Sequence, residues 1–232
     1  MRVFNLLKLG LYTLVLTLLL GSARAGVLTF EHNIEFSGAT PPEGAAPWLT
    51  ATFDDSFGGA NTVRLTMSTS GLTDAEFVSQ WYFNFDPDLV PSRLSVSAVD
   101  LSDVGPTTLS LGVDTFQADG DGKYDILFDF PPPPGQFADK FTAGEQVVVD
   151  FTYISPIDVN SFDFLSAPAG GHGPFLSAAH VQGIGPNDGD SGWVAPGGDV
   201  PPQQIPEPGI LALLGTGLLG MTLLGRRRRK VD

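Results

Sequence analysis

Carboxylates stand at alternate positions in Asp119-Gly120-Asp121-Gly122-Lys123-Tyr124-Asp125. In a glycine-bent loop such oxygens can converge on one Ca²⁺, which accepts roughly six to eight oxygen ligands in flexible geometry. Backbone carbonyls, with Asp86, Asp88 or Asp163, would complete that shell. The same residues also read as an acidic turn ahead of a strand, because Asp-Gly pairs make good hairpin turns. A second group places a base and a nucleophile close in sequence: Ala178-Ala179-His180 and Gly189-Asp190-Ser191-Gly192, with Asp188 or Asp163 as the acid. The third is His172 in Gly171-His172-Gly173. With 3 histidines and no His-x-His or His-x-x-x-His pair, it reads as a loop residue rather than a metal ligand.

The aspartate run resembles the first half of an EF-hand or dockerin loop, with two departures: Lys123 occupies the fifth ligand position, and Phe130 stands where a bidentate Glu belongs. The histidine and serine segments look like the signatures of chymotrypsin-type proteases. That fold draws the two residues from different barrels, however, and here Trp193 replaces a glycine of the serine signature. Acids are so numerous that no pair is singled out for glycoside hydrolysis. The sequence therefore reads as non-catalytic.

The elements that must position these residues are constrained by composition. The chain has 232 residues, 28 Gly, 19 Pro and no Cys, with 16% charged residues. Such a chain disfavours a helical bundle and fits a loop-rich all-β domain. Zero cysteine excludes disulfides, thiolate zinc sites and a cysteine nucleophile. Residues 1–25 carry +3, residues 26–207 carry −21 and residues 208–232 carry +4. An acidic body cannot present a basic stripe to phosphates, which argues against nucleic acid as a partner.

Both ends read as addresses. Arg2 and Lys8 precede an apolar run from Leu9 to Leu20, and Ala23-Arg24-Ala25 places small residues where signal peptidase reads them. This is the pattern of a signal peptide over 1–25, exported by the Sec machinery and cut after Ala25. Its apolar run reaches only about 18 Å, too short for a ~30 Å hydrocarbon core. Near the other end, Pro206-Glu207-Pro208 is followed by uncharged Gly209 to Gly225 and then Arg226-Arg227-Arg228-Arg229-Lys230. As a helix that stretch spans about 26 Å, enough for a single transmembrane segment if the arginines snorkel. The distal bases keep the tail of segment 209–232 in the cytoplasm and the body outside. Ala212, Thr216 and Gly220 repeat at the spacing that lets another helix approach closely.

Pro-Glu-Pro, a short glycine-containing apolar stretch and a terminal arginine cluster, in that order over residues 206–230, resemble the PEP-CTERM sorting signal. The resemblance implies recognition by an exosortase, a polytopic membrane enzyme that cuts near Pro206, Glu207 and Pro208 and releases or re-attaches the body. It also implies a Gram-negative bacterium that makes exopolysaccharide. Prolines hold such a segment out of helix and accessible.

Residues 195–208 form a proline-rich stalk that can reach up to about 43 Å when extended. The folded unit is then 26–194. Period-two alternation recurs at 63–68, 81–85, 94–98, 124–130 and 147–153, each bounded by Gly, Pro, Asp or Asn. With 27–30, 108–113, 162–165 and 178–182 added, about nine strands are predicted. They suit an antiparallel two-sheet sandwich, jelly-roll-like. Asp119 to Phe130, with Gly170 to Phe175 and Ala178 to Gly183, also resembles uncharacterised β-rich ectodomains that carry PEP-CTERM tails.

The expectation is an exported surface or matrix protein associated with exopolysaccharide, passing through an inner-membrane-anchored precursor. The alternatives are a calcium-assisted carbohydrate-binding module, which needs an exposed aromatic row such as Trp48, Trp81 or Trp193, and a permanently anchored ectodomain or hydrolase.

Overall fold

The architecture is that of a computed structural model describing residues 26–105, 107–120, 122–131 and 139–197. The leader, the Pro-Glu-Pro segment, the apolar stretch and the arginine cluster lie outside the described residues, as does Asp121. Among the described residues no helix is long and apolar enough to cross a membrane.

The described residues form twelve strands: β1 Val27–Glu35, β2 Leu49–Asp54, β3 Thr62–Ser68, β4 Phe77–Phe83, β5 Ser95–Asp100, β6 Thr108–Ala118, β7 Gly122–Asp129, β8 Phe141–Thr142, β9 Gln146–Thr152, β10 Ala167–Pro168, β11 Ser177–Ile184 and β12 Asp190–Pro196. Their pairings are antiparallel along one path, β10-β7-β4-β11-β12-β1-β2-β3-β9-β5, with β6 on β7 and β8 on β4.

The path doubles over. Phe53 of β2 meets Phe83 of β4 with ring centroids 5.5 Å apart, and Phe151 of β9 meets Phe128 of β7 at 6.3 Å, though these strands are distant along the path. A front layer, β6-β7-β4-β11-β12, thus faces a back layer, β2-β3-β9-β5. The turn between them is β1, which pairs with β2 from Val27 to His32 and with β12 from His32 to Glu35, its register shifting between His32 and Ile34. A bulge of this kind lets one strand serve two sheets. The shared core holds Leu49, Phe53, Leu65, Trp81, Phe83, Ile126, Phe128, Phe151 and Val181, all essentially closed to solvent.

Two sequence expectations change. Residues 162–165 do not form a strand. Asp158 accepts a hydrogen bond from Asn160 N (2.9 Å) and donates its own N–H to Ser161 Oγ (3.3 Å), which closes a capping box on the short 3₁₀ turn Val159–Phe162. That turn delivers Phe162 to the core, stacked on Phe53 at 4.5 Å. The body also continues past residue 194: β12 runs through buried Ala195 to Pro196, which sits opposite His32.

Candidate functional site

The two layers differ on their outward faces. In β2, β3 and β9 buried and half-exposed residues alternate cleanly, as a sheet with one wet face requires. In β4 the alternation fails, because Phe77 to Phe83 are buried except for half-exposed Gln80. The outer side of the front layer carries its own small cluster of Tyr82, Tyr124, Leu127, Ala178 and Ala195, with Phe36 and Phe175 laid over it at 4.6 Å from each other.

Beside this cluster lies a row of polar side chains. The pairing of β4 with β11 shifts register between His180 and Val181, leaving Ser79 as the extra residue of a bulge. The bulge turns the Ser79 hydroxyl to the outer face, 3.0 Å from His180 Nδ1. Gln182 Nε2 lies 3.2 Å from both Ser79 Oγ and His180 Nδ1. An amide N–H only donates, so Nδ1 is the acceptor and the neutral ring carries its proton on Nε2. Burial keeps His180 neutral by lowering its pKa. The ring stacks on Trp193, directly opposite on β12, at 4.5 Å and 14°.

One strand over, Tyr82 donates to Gln80 Oε1 (2.9 Å), and Gln80 Nε2 donates to Asp129 Oδ1 (2.8 Å). Burial, then the Asp129 charge, pushes the Tyr82 hydroxyl well above its ordinary pKa, so it stays a donor at any physiological pH. A depression of about 480 Å³ opens over Ser79, Gln80, Asp129, His180 and Gln182. A second, of about 460 Å³, continues past Gln182 to Asp188, Asp190 and Ser191, with Lys140 at its edge. Gln182 belongs to both. Gly183 holds the strand there in a left-handed conformation (φ 77°), and a Cβ on it would come within 2.3 Å of Ala75 O.

The aspartate run divides. Asp119 and Gly120 have positive φ in the turn that joins β6 to β7. Asp125 faces a bulge where residues 112–115 of β6 oppose it. Its Oδ1 accepts from Asp114 N (2.8 Å) and its Oδ2 from Phe85 N (2.9 Å), so one carboxylate pins the bulge and the end of β4 together. Burial raises its pKa, and the two backbone N–H groups oppose that shift. Among the described residues no group of three His, Asp or Glu side chains is placed to hold a metal ion.

The other candidate residues are not brought together. Ser191 sits opposite Gln182, and the serine bonded to His180 is Ser79. Asp163 lies past the 3₁₀ turn, its pKa raised by burial. His172 is exposed. Of the three tryptophans, Trp48 donates to Gly44 O (2.8 Å) and Trp81 to Ser177 Oγ (3.1 Å), both buried; Trp193 alone stands on the outer face. Sequence reasoning missed Ser79, Gln80 and Gln182. Gln182 could have been found from the polar alternation of β11, whereas nothing local marks Ser79 as a bulge residue.

Comparison with known proteins supplies the remaining identification. Residues 204–229 match the PEP-CTERM protein-sorting motif, so the chain carries that motif behind a β-rich body. The motif implies an exported protein with exosortase as its processing partner. No curated protein matches the chain. Among solved structures, a biomass-sensing module of an Rsgi-like protein of Clostridium thermocellum, reported to resemble a family 3 carbohydrate-binding module of the cellulosome, is similar at 12% identity and a TM-score of 0.29, covering 68% of this chain and 94% of that one. At that score the likeness carries no weight for fold or ligand.

Proposed function

We propose that the protein is a non-catalytic component of the cell surface or extracellular matrix, made as an inner-membrane-anchored precursor and associated with exopolysaccharide after exosortase processing. In this reading residues 1–25 are removed by signal peptidase, and the jelly-roll-like body stands on the proline-rich stalk that follows β12, up to residue 208. The apolar stretch 209–225 spans the membrane, with Arg226 to Lys230 inside the cell. The carrying observation is the sorting motif at 204–229 joined to an all-β body. Its test is the intact mass and C-terminal peptide of the protein isolated from its own host. An end near Pro206 to Pro208 is expected; a retained arginine tail would make the protein a permanently anchored ectodomain.

Calcium belongs to the same proposal. In this reading Asp119 and Asp121 supply the carboxylates, while Asp125 is already bound to two backbone N–H groups. Melting with millimolar Ca²⁺ and with chelator reads this directly, because an ion bound only by the folded state raises Tm. An unchanged Tm removes calcium from the account.

A second reading, carbohydrate binding by the body, is favoured by one specific feature: an outer sheet face where half-exposed Trp193 stands beside His180, in a polar row with Gln80, Gln182 and Asp129. Aromatic bodies with polar neighbours suit sugars, which are apolar on their ring faces and hydroxylated at their edges.

A further inference from the structure

We propose that the two depressions meeting at Gln182 form one groove that takes a neutral polysaccharide chain, an inference that rests on the carbohydrate-binding reading. Three observations carry it.

The first is the set of polar groups still open. With Nδ1 satisfied by Ser79 and Gln182, the protonated Nε2 of His180 is a donor with no partner among the described residues. Gln182 spends its amide nitrogen on Ser79 and His180, and no described residue donates to its Oε1. Gln80 uses one N–H on Asp129, which leaves the other. The row therefore offers two donors and one acceptor, fixed by internal hydrogen bonds. Such a row matches adjacent hydroxyls, each of which both donates and accepts, and fixed side chains lose little entropy on binding.

The second is charge. Asp129, Asp188 and Asp190 stand along the two depressions, and among the described lining residues Lys140 is the one cationic side chain, its Nζ 3.9 Å above the Phe77 ring. The surrounding segment 26–207 carries −21. A polyuronate or sulfated chain would meet repulsion along the whole groove, whereas an uncharged chain meets none.

The third is extent. Each depression, at about 480 and 460 Å³, suits a small saccharide unit, and their shared residue makes them consecutive stations for one chain. The His180 ring, backed by Trp193, lines the first depression beside Gln182 and supplies a ring contact.

The test uses the full-length protein in a detergent without a sugar headgroup, with hydroxyethylcellulose, dextran and alginate as probes, read by affinity electrophoresis and titration calorimetry. Binding to at least one neutral glucan and none to alginate is expected. Gln182→Ala and Gln80→Ala should each weaken the neutral glucan by about fivefold to tenfold, the scale of losing one or two directed hydrogen bonds. Thr66→Ala on the back layer should leave binding unchanged. Both glutamines are half-exposed, and circular dichroism with melting checks that their variants fold. Equal affinity for alginate overturns the neutral class. Glucan binding that survives both glutamine variants overturns the groove while leaving the carbohydrate reading intact. Binding to neither glucan removes that reading and this inference together.

Discussion

The outer faces of the two layers show what one fold does with the same alternation under different demands. On the back layer Thr29 meets Thr52 and Thr62 meets Thr152 through their hydroxyls, and Arg64 holds Asp150 in a bidentate pair. These are cross-strand pairs on a wet face, each worth a few tenths of a kcal/mol up to about 1 kcal/mol. On the front layer the corresponding side is half covered by Phe36 and Phe175, interrupted by a bulge at Ser79, and lined with neutral polar groups that bond one another. A sheet face that only needs solubility keeps its small polar side chains and, across β2, β3 and β9, its register, which slips only at the β5 edge between Ala98 and Asp100. Aromatic rings, a bulge and a polar row on the other face cost regularity, and such departures concentrate where a surface does more than meet water.

If the front layer is the specialised one, acid should attack the protein from that side. His32 lies where β1 passes between the layers, closed to solvent, its Nε2 3.0 Å from Ser177 Oγ and its ring edge-on to Trp81 at 5.1 Å. Burial lowers its pKa from 6.5 to about 3, against a smaller raising effect from backbone groups of Phe30 and Leu49. The sign follows from the proton count. Below pH 6.5 the unfolded chain binds a proton that the folded chain refuses until about pH 3. Stability is therefore complete above pH 6.5 and falls as the pH drops towards 3, by up to roughly 5 kcal/mol. Burial lowers His180 in the same direction, whereas the raised Asp125 and Asp163 act in the opposite one. Urea midpoints measured from pH 8 to pH 4 for the wild type and His32→Gln isolate the histidine. The wild type should lose far more than the variant, and parallel curves would show that the front layer has no such weakness.

A smaller effect sharpens the same contrast at Asp125. Asp125→Ala frees the buried N–H of Phe85 and the partly exposed N–H of Asp114, at a cost of about 2 kcal/mol in the urea midpoint. The loss should be equal in chelator and in calcium, because the carboxylate joins β6 to β4 regardless of any ion. A loss seen only in calcium would transfer Asp125 from structural support to metal ligation.

Asp125 also marks where the sequence stops being legible. Its neighbours suggested a loop ligand because they are visible at short range. Its partners, Asp114 and Phe85, lie 11 and 40 residues away and come together only when β6 bulges and β4 ends beside β7. Ser79 is hidden for the same reason, since a bulge is a property of two paired strands. β12 was obscured because Gly189-Asp190-Ser191-Gly192 looked like chemistry rather than the start of a strand. By contrast β3 and β9 of the back layer read directly, because each shows period-two alternation in its own residues, although β2 is not among the predicted strands. The sorting motif is legible because its parts are local and ordered.

The smallest effect belongs to the back layer and is the sharpest control on the comparison. Arg64 reaches Asp150 through Nε at 2.8 Å and a second guanidinium nitrogen at 2.9 Å, and its Cζ lies 4.2 Å over the Phe57 ring. The geometry is good, but both side chains are partly solvated, at 25% and 20% exposure, and water screens most of the attraction. A double-mutant cycle with Arg64→Ala and Asp150→Ala should return a coupling below about 1 kcal/mol that shrinks further in 1 M salt, where screening shortens to roughly 3 Å. Neither change should alter glucan binding. A coupling well above that, or one indifferent to salt, would mean that this face too is organised beyond what a wet sheet requires, and the division of labour between the layers would fail on its simpler side.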